Sequence, residues 1–208
     1  MNNTLLSILA AATLLVTNPQ PPVVPKALSQ VSYSLSNRYA NKAVNEVFSD
    51  NILLTIAYLG GSVKKKEDIS WSRIQEDKET QFSLKPGETF AFHDAVLEKY
   101  KGKIAATTNA HFSWDDGFRS DGWLVGDGVC HLASFMYVAA NNAGLSVEAP
   151  TSHDFAVIPN IEKKDGVSIF SESTLQNLYI TNNKNTTLAF IFIQKDSQLT
   201  IRIEEAKK

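Results

Sequence analysis

The chain has 208 residues, of which 43% are hydrophobic and 20% are charged, with 20 Lys and Arg against 22 Asp and Glu. These values are those of an ordinary globular domain, so they exclude a wholly disordered chain and a membrane protein with several spans. The net charge of -2 lacks the basic excess of proteins that cover nucleic-acid phosphates, so nucleic acid is not expected as a partner. Cys130 is the single cysteine, which excludes an internal disulfide and a cysteine-rich zinc or iron-sulfur site.

The N-terminal segment is typical of an export signal. Leu5 to Val16 is almost entirely apolar and is shorter than the roughly 20 residues that a spanning helix needs. A Pro-rich stretch over 18–25 isolates it from the rest of the chain, which argues against a buried helix of the fold. The sequence therefore predicts a signal peptide or N-terminal anchor with a linker over 1–28 and one domain over 29–208. The protein is expected to be exported and extracytoplasmic, either secreted or associated with the membrane through this segment.

Helical patterns dominate the first part of the predicted domain. An amphipathic helix is predicted from Ser36, and a second apolar stretch follows over 51–59. Charges of both signs crowd 62–81, which is expected to be a solvated, partly helical insertion. Apolar residues recur at helical spacing over 129–143, and Gly144 follows where a C-terminal cap belongs.

Strand patterns follow this helix. Short runs rich in β-branched and aromatic residues predict strands over 152–158, 167–170, 176–181, 187–193 and 199–203. Turn-forming residues separate most of these runs, and short connections join antiparallel neighbours. The sequence thus predicts an α+β fold, with N-terminal helices and the helix that bears Cys130 packed on one mainly antiparallel sheet.

The candidate chemistry centres on the segment Gly126-Asp127-Gly128-Val129-Cys130. The glycines permit a tight turn that brings Cys130 into the first turn of a helix, where the helix dipole favours a thiolate and lowers the thiol pKa. Asp127 opposes this ionisation and is alternatively a helix cap. A small buried cysteine that packs as a hydrophobic residue is the competing interpretation of Cys130.

His153 and Asp165 complete a candidate catalytic triad. His153 opens a predicted strand, and Asp165 stands at the start of the strand expected to pair with it. Asp154 should point to the opposite face, since consecutive side chains alternate along a strand, so Asp165 is the better candidate to orient the imidazole. A cysteine nucleophile, a histidine base and an orienting carboxylate are the parts needed for thiol acyl transfer.

The Asp- and Gly-rich stretch over 109–126 is expected to be a mobile loop over this site. It carries Trp114 and Trp123, which together with Gly128 are the candidate substrate-binding residues, because indole rings stack on sugars and peptides. The histidines lack the spacing that places two ligands on one face, so no metal and no cofactor are predicted.

Several motifs, in chain order, resemble the VanW-like domain of bacterial envelope proteins. The family pattern of GGGVCQ, a helix, AGL and a single His is similar to 126–131, to 143–145 and to His153. The family signature L-x-PGE-x-FSF is similar to 84–92, and its final strand with an N-N turn is similar to 178–183.

The resemblance spans about Asn51 to Ile203, and Asp165 matches an aspartate of the family. The chain departs from the family pattern at a few positions, where it carries Asp127 in place of Gly, His131 in place of Gln, Asp154 in place of Ser and Gly166 in place of Ala.

The resemblance implies an exported protein whose partner is peptidoglycan or its peptide stems, in a family named from glycopeptide-resistance clusters. The order of Cys130, helix, His153 and Asp165 is also similar to that of transglutaminase-like and papain-like enzymes, which is an analogy of fold and site order. Two functions stay open from the sequence. One is a cysteine-dependent acyl-transfer enzyme of peptidase, amidase or transpeptidase type, and the other is a noncatalytic cell-wall-binding or accessory module. The bond acted on and the oligomeric state stay open as well.

Overall fold

Residues 27–206 are described by a computed structural model, and they form two four-stranded sheets and three α-helices, which confirms the predicted α+β class. The segment predicted as an export signal lies outside these described residues. In chain order the elements are β1 (Ala27–Ser34), α1 (Lys42–Leu59), α2 (Trp71–Gln75), β2 (Lys78–Leu84), β3 (Thr89–Ala91), β4 (Ile104–Ala106), α3 (Val129–Asn142), β5 (Ser146–Glu148), β6 (Tyr179–Thr181), β7 (Leu188–Lys195) and β8 (Gln198–Glu205).

The first sheet has the order β1-β8-β7-β2, and all its neighbours are antiparallel. Strands β7 and β8 form a hairpin whose turn residues, Asp196 and Ser197, both have positive φ, as a tight hairpin turn requires. On β8, Leu199, Ile201 and Ile203 are fully buried and alternate with less buried residues. This period of two places one face of the sheet on the core.

The second sheet has the order β4-β3-β6-β5, so the prediction of a single sheet is wrong. Strand β6 is shorter than predicted and pairs with β3 and β5, while β7 pairs in the first sheet. Asn182 separates them: its side-chain amide donates to the carbonyls of Leu84 and Thr186, and its oxygen accepts from the Lys184 N–H. These bonds bend the chain between β6 and β7, so the two strands enter different sheets.

Helix α1 is one continuous helix that begins later than the sequence indicates. The Asn41 side chain caps it by accepting from the N–H groups of Ala43 and Val44. Upstream, the N–H groups of Arg38 and Tyr39 donate to the side chain of Asn45, which holds this segment as a loop. The helix predicted from Ser36 is therefore wrong in its start, because side-chain oxygens bind N–H groups that a helix would need.

Helix α3 matches its predicted span, and Gly144 follows it with φ +66. Three of its residues, Leu132, Phe135 and Ala139, are completely buried in a core shared with α1 and both sheets. The aromatic ring of Phe135 stacks on Tyr33 of β1 with ring centroids 3.8 Å apart, which ties α3 to the first sheet.

Some sequence assignments differ from the structure around the site. Strand β1 was not predicted, and β2 takes up the end of the stretch predicted as a charged insertion over 62–81, although α2 agrees with its partly helical character. The strands predicted over 152–158 and 167–170 are reduced to one antiparallel bridge between Ser152 and Val167. None of the helices within 27–206 combines the length and the apolar character that crossing a membrane requires.

Candidate functional site

A groove of 880 Å³ opens at the N-terminus of α3, and Cys130 lies in it. The loop after β1, the 109–128 segment and residues 153–157 and 168–172 supply most of its walls. We call this the Cys130 groove. It contains His153, Trp114, Trp123 and Gly128, so five of the six residues predicted for the site lie in one cavity, and Asp165 is not among its lining residues.

A backbone turn with positive φ at Gly128 immediately precedes α3 and sets the residue at which the helix begins. Gly128 is the N-cap residue with φ +96, and a Cβ atom there would lie 2.4 Å from the carbonyl oxygen of Phe48 on α1. Any other residue would be strained and would clash with backbone, so Gly128 allows α1 to pack closely against the turn. Cys130 is the second residue of the helix, as predicted from the sequence.

The Cys130 thiol is held by backbone rather than by a base. The residue is partly exposed, yet its sulfur accepts from the Ile169 N–H at 3.4 Å and donates toward the Ile169 carbonyl oxygen at 3.9 Å. Burial of the sulfur raises the pKa of the Cys130 thiol to about 11; the Ile169 N–H opposes the rise, and the Asp127 carboxylate adds to it. The direction is opposite to the lowered pKa predicted from the helix N-terminus, because desolvation of the charge outweighs the dipole.

Asp127 does not cap α3, so the capping alternative is wrong. Its carboxylate accepts from the Asp121 N–H at 3.0 Å, within the loop that precedes the helix. Burial raises the pKa of the Asp127 carboxyl to about 6. Close to neutral pH the group is therefore mostly ionised and disfavours a second negative charge on Cys130.

His153 is buried, and its ring is oriented by a main-chain oxygen. Its Nδ1 lies 3.2 Å from the Ala156 carbonyl oxygen, which can only accept, so Nδ1 carries the proton and Nε2 has a free lone pair. Burial lowers the pKa of His153, which keeps the ring neutral. The ring also packs on Phe155 with centroids 4.0 Å apart. A neutral imidazole of this kind is a potential proton acceptor.

Asp165, predicted to orient His153, and Asp154, predicted to point away from it, are both placed differently from the sequence expectation. Asp165 ends a 3-10 turn, Lys163–Asp165, and the oxygen bound to the His153 ring is that of Ala156. The segment after His153 is irregular, so strand alternation does not direct Asp154 away, and the charge of Asp154 acts to raise the His153 pKa. The structure thus brings Cys130 and His153 to one groove, while the place of the orienting carboxylate is taken by a carbonyl group.

The rim of the groove is apolar and exposed. Trp123 is 91% exposed, Val157 is 88% exposed and Phe155 is 70% exposed. Among the exposed large hydrophobic residues within 27–206, all except Leu175 line this groove; the set at the groove is Tyr39, Trp114, Trp123, Leu124, Phe155, Val157 and Phe170. We call this set the apolar rim.

The loop that carries both tryptophans is fastened to α1. Asn51 donates from its amide nitrogen to the carbonyls of Arg119 and Asp127, and its oxygen accepts from the Arg119 N–H. The Tyr58 hydroxyl donates to the Asp116 carbonyl at 2.8 Å. These anchors were not found from the sequence, since polar residues inside an apolar helical run give no sign of what they bind.

His131 and Arg38 form the back of the groove. His131 is 5% exposed and packs against the ring of Phe48 with centroids 5.0 Å apart, and its Nδ1 has no hydrogen-bond partner among residues 27–206. Burial lowers the pKa of His131 to about 3, with Arg38 and His153 acting in the same direction. His131 therefore contributes a neutral ring to the groove wall. Within residues 27–206, no group of three potential ligands is arranged to hold a metal ion.

The family model for "VanW like protein" matches residues 73–204, which is more than half of the chain and includes Cys130 and His153. The chain therefore belongs to the VanW like protein family, as its motifs indicated. No curated protein and no solved structure matches the chain.

Proposed function

We propose that this member of the VanW like protein family works outside the cytoplasm as a noncatalytic wall-binding or accessory module, and that its Cys130 groove binds the peptide portion of the cell wall. The observation that carries the proposal is the apolar rim. Large exposed hydrophobic side chains are concentrated around one cavity and are otherwise almost absent from the described surface. Apolar surface gathered around a cavity is typical of a ligand-binding site.

The size and lining of the groove support a peptide ligand. A volume of 880 Å³ is at the upper end of the usual range for ligand cavities, and it accommodates several residues of an extended peptide. Trp114 and Trp123 supply flat rings, while His111 and Asp121 supply polar contacts at the same rim. Export is supported by the N-terminal apolar run and the Pro-rich stretch after it.

The state of the thiol favours binding over catalysis. With a pKa of about 11, only about one thiol in ten thousand is ionised at neutral pH. The sulfur is engaged with the Ile169 backbone, and His153 donates to Ala156. An active thiol enzyme instead needs a base within hydrogen-bond reach of a sulfur that can lose its proton.

A cysteine-dependent acyl-transfer enzyme is the second candidate, and one observation favours it. Cys130 and His153 line the same groove, and Nε2 of His153 is the ring nitrogen with a free lone pair. In this function a bound peptide would displace the Ile169 contacts, His153 would take the thiol proton, and Cys130 would form a thioester as the amine leaves with that proton. Asp165 is a proposed positioning residue in this candidate only if its carboxylate replaces the Ala156 carbonyl at Nδ1 of His153.

Incubation with purified peptidoglycan separates the two candidates. The full chain is mixed with insoluble peptidoglycan, the pellet is assayed for protein, and the supernatant is assayed for new amines and altered muropeptides. We expect the protein in the pellet, no new amines, and equal sedimentation of the Cys130→Ser variant. Products that form with the wild type and are lost with Cys130→Ser would establish the enzyme instead. Protein that stays in the supernatant and forms no product would contradict both candidates.

A further inference from the structure

A smaller cavity lies beside the Cys130 groove and shares a wall with it. Its volume is 200 Å³, and it is lined by residues 153–158, 161–163 and 166. We call it the His153 pocket. The residues that line both cavities are His153, Phe155, Ala156 and Val157. A ligand that lies in the groove along this shared wall can therefore extend a side chain into the pocket.

The His153 ring presents an unpartnered acceptor that is open to a cavity. His153 is 6% exposed, and its Nδ1 donates to the Ala156 carbonyl oxygen. Its Nε2 has no hydrogen-bond partner among the described residues and, unlike Nδ1 of His131, is not fully enclosed by protein atoms. The Nε2 lone pair is therefore within reach of a ligand, and it accepts an N–H or O–H donor.

The rest of the His153 pocket is apolar and carries no net charge. Its apolar lining residues are Phe155, Ala156, Val157, Ile158 and Ile161. The Glu162 carboxylate is paired with Lys164, which lies outside the lining, at 2.8 Å. The remaining charged lining residues, Asp154 and Lys163, have opposite signs. A neutral apolar group is therefore favoured over a charged one, because a charge that enters the pocket loses its hydration without a net opposite charge to offset the loss.

We propose that the His153 pocket is a subsite for an aliphatic side chain of the peptide bound in the Cys130 groove, and that Nε2 of His153 accepts from the backbone N–H of the same ligand residue. A volume of 200 Å³ is smaller than the roughly 300–1,000 Å³ of cavities that hold whole ligands, and it suits a single side chain. This inference rests on the function proposed for the groove, and it adds the class of ligand residue that the groove recognises.

Titration of the full chain with three small probes tests the proposal. Nα-acetyl-leucine methylamide offers both the aliphatic side chain and the N–H group. Nα-acetyl-asparagine methylamide carries a polar side chain of similar size, and an ester analogue of the leucine probe has oxygen in place of the leucine N–H. By amide chemical-shift perturbation, we expect saturable binding of the leucine probe with shifts at Ile161 and Gly166. The asparagine probe should bind at least about tenfold more weakly, and the ester at least about threefold more weakly.

Two variants separate the pocket from the rest of the groove. Ile161→Asn places a polar group in the lining of the pocket alone, and it should weaken binding of the leucine probe at least about tenfold. Val147→Asn changes another half-buried aliphatic residue that packs on the core but lies outside both cavities, so it should leave probe binding unchanged. Equal affinity of the wild type for the leucine and asparagine probes, or for the amide and the ester, would overturn the proposal. These comparisons need no variant to fold.

Sedimentation with peptidoglycan separates failure of the subsite from failure of the proposed function. A wild-type protein that sediments with peptidoglycan but does not bind the leucine probe, or that shows shifts only at groove residues such as Trp123, would overturn the subsite alone. Selective binding of the leucine probe without sedimentation would support the subsite and contradict the wall-binding function. Absence of both would overturn both.

Discussion

Cys130 is subject to two opposing effects that the sequence alone does not rank. Its place in the first turn of α3 favours a thiolate by about 0.3–1 kcal/mol when such a position is exposed. Removal of the sulfur from water and the Asp127 carboxylate act against the charge, and together they prevail in raising the pKa to about 11. The motif therefore indicates where the cysteine lies and leaves its protonation state to the surrounding packing.

We predict that native Cys130 reacts slowly with iodoacetamide. At pH 8 a pKa of about 11 leaves about one thiol in a thousand ionised, against about one in four for a free cysteine with a pKa near 8.5. The alkylation rate, measured by mass spectrometry, should be at least about a hundredfold lower in the native protein than in urea. Asp127→Asn should raise the native rate modestly because it removes a neighbouring negative charge. A native rate equal to that in urea would contradict the raised pKa of Cys130, and a native rate above it would mean that the thiol is activated.

We predict that His131 destabilises the fold in acid. Its folded pKa is lowered to about 3, so between the ordinary histidine pKa near 6.5 and pH 3 the unfolded chain binds a proton that the folded chain does not. Its stabilising contribution is present above about pH 6.5 and is lost as the pH falls toward 3. His131→Gln should therefore reduce the loss of unfolding free energy between about pH 7 and pH 4.5 in urea titrations. Equal losses in the wild type and the variant would show that His131 does not carry this dependence.

At the scale of elements, the contact between α1 and the start of α3 depends on Gly128, which has no side chain. A Cβ atom at Gly128 would meet three backbone atoms of Phe48, the nearest at 2.4 Å, and the φ of +96 adds conformational strain. We predict that Gly128→Ala destabilises the protein by about 2–4 kcal/mol, measured by urea unfolding.

Gly61→Ala is the matched control for this prediction. Gly61 also has positive φ, at +70, but a Cβ atom there would meet nothing within 4 Å. Gly61→Ala should lower the free energy of unfolding by about 1–2 kcal/mol, because only the backbone conformation is strained. Equal losses of unfolding free energy in the two variants would mean that close packing against Phe48 does not require Gly128.

The elements also show which parts of the fold could be predicted. Helix α3 and the β7–β8 hairpin carry regular patterns and strong turn residues, and both are found where the sequence places them. Residues 152–158 have strand composition, yet the His153 ring binds the Ala156 carbonyl within the same segment and only Ser152 pairs. Strand composition describes what a residue can do in a sheet, and partners distant in the chain decide whether it does so.

The candidate site likewise has residues that the sequence identifies and contacts that only the fold shows. The motif in the sequence identifies Cys130 and His153, and the two tryptophans stand out because tryptophan is rare in the chain. The Ala156 carbonyl and the Ile169 backbone, which hold the ring and the sulfur, belong to main chain that no residue type signals. The sequence indicates Asp165 through an expected pairing of two strands, and in the structure that pairing is a single bridge between Ser152 and Val167.

For the whole molecule, the first sheet defines how many N-terminal residues can be removed without loss of the fold. β1 pairs with β8 from Ala27 onward, two residues before residue 29, where the sequence predicts that the domain begins. We predict that removal of 1–26 leaves a cooperative thermal transition. Removal of 1–34 should abolish cooperativity, since it strips β1 from β8 and uncovers Tyr33's partner Phe135. Loss of cooperativity on removal of 1–26 would place the N-terminal apolar run in the core.

The measurement that tests the central claim most directly is peptidoglycan binding by a variant with an altered apolar rim. Trp123→Ser combined with Phe155→Ser removes two rings that are mostly exposed, and Leu175→Ser removes an exposed apolar side chain outside the groove. In a sedimentation assay with the full chain, we expect the double variant to bind at least about tenfold more weakly than the wild type, and Leu175→Ser to bind like the wild type. Unchanged binding by a folded double variant, or an equal loss with Leu175→Ser, would contradict the assignment of the Cys130 groove as the wall-binding site.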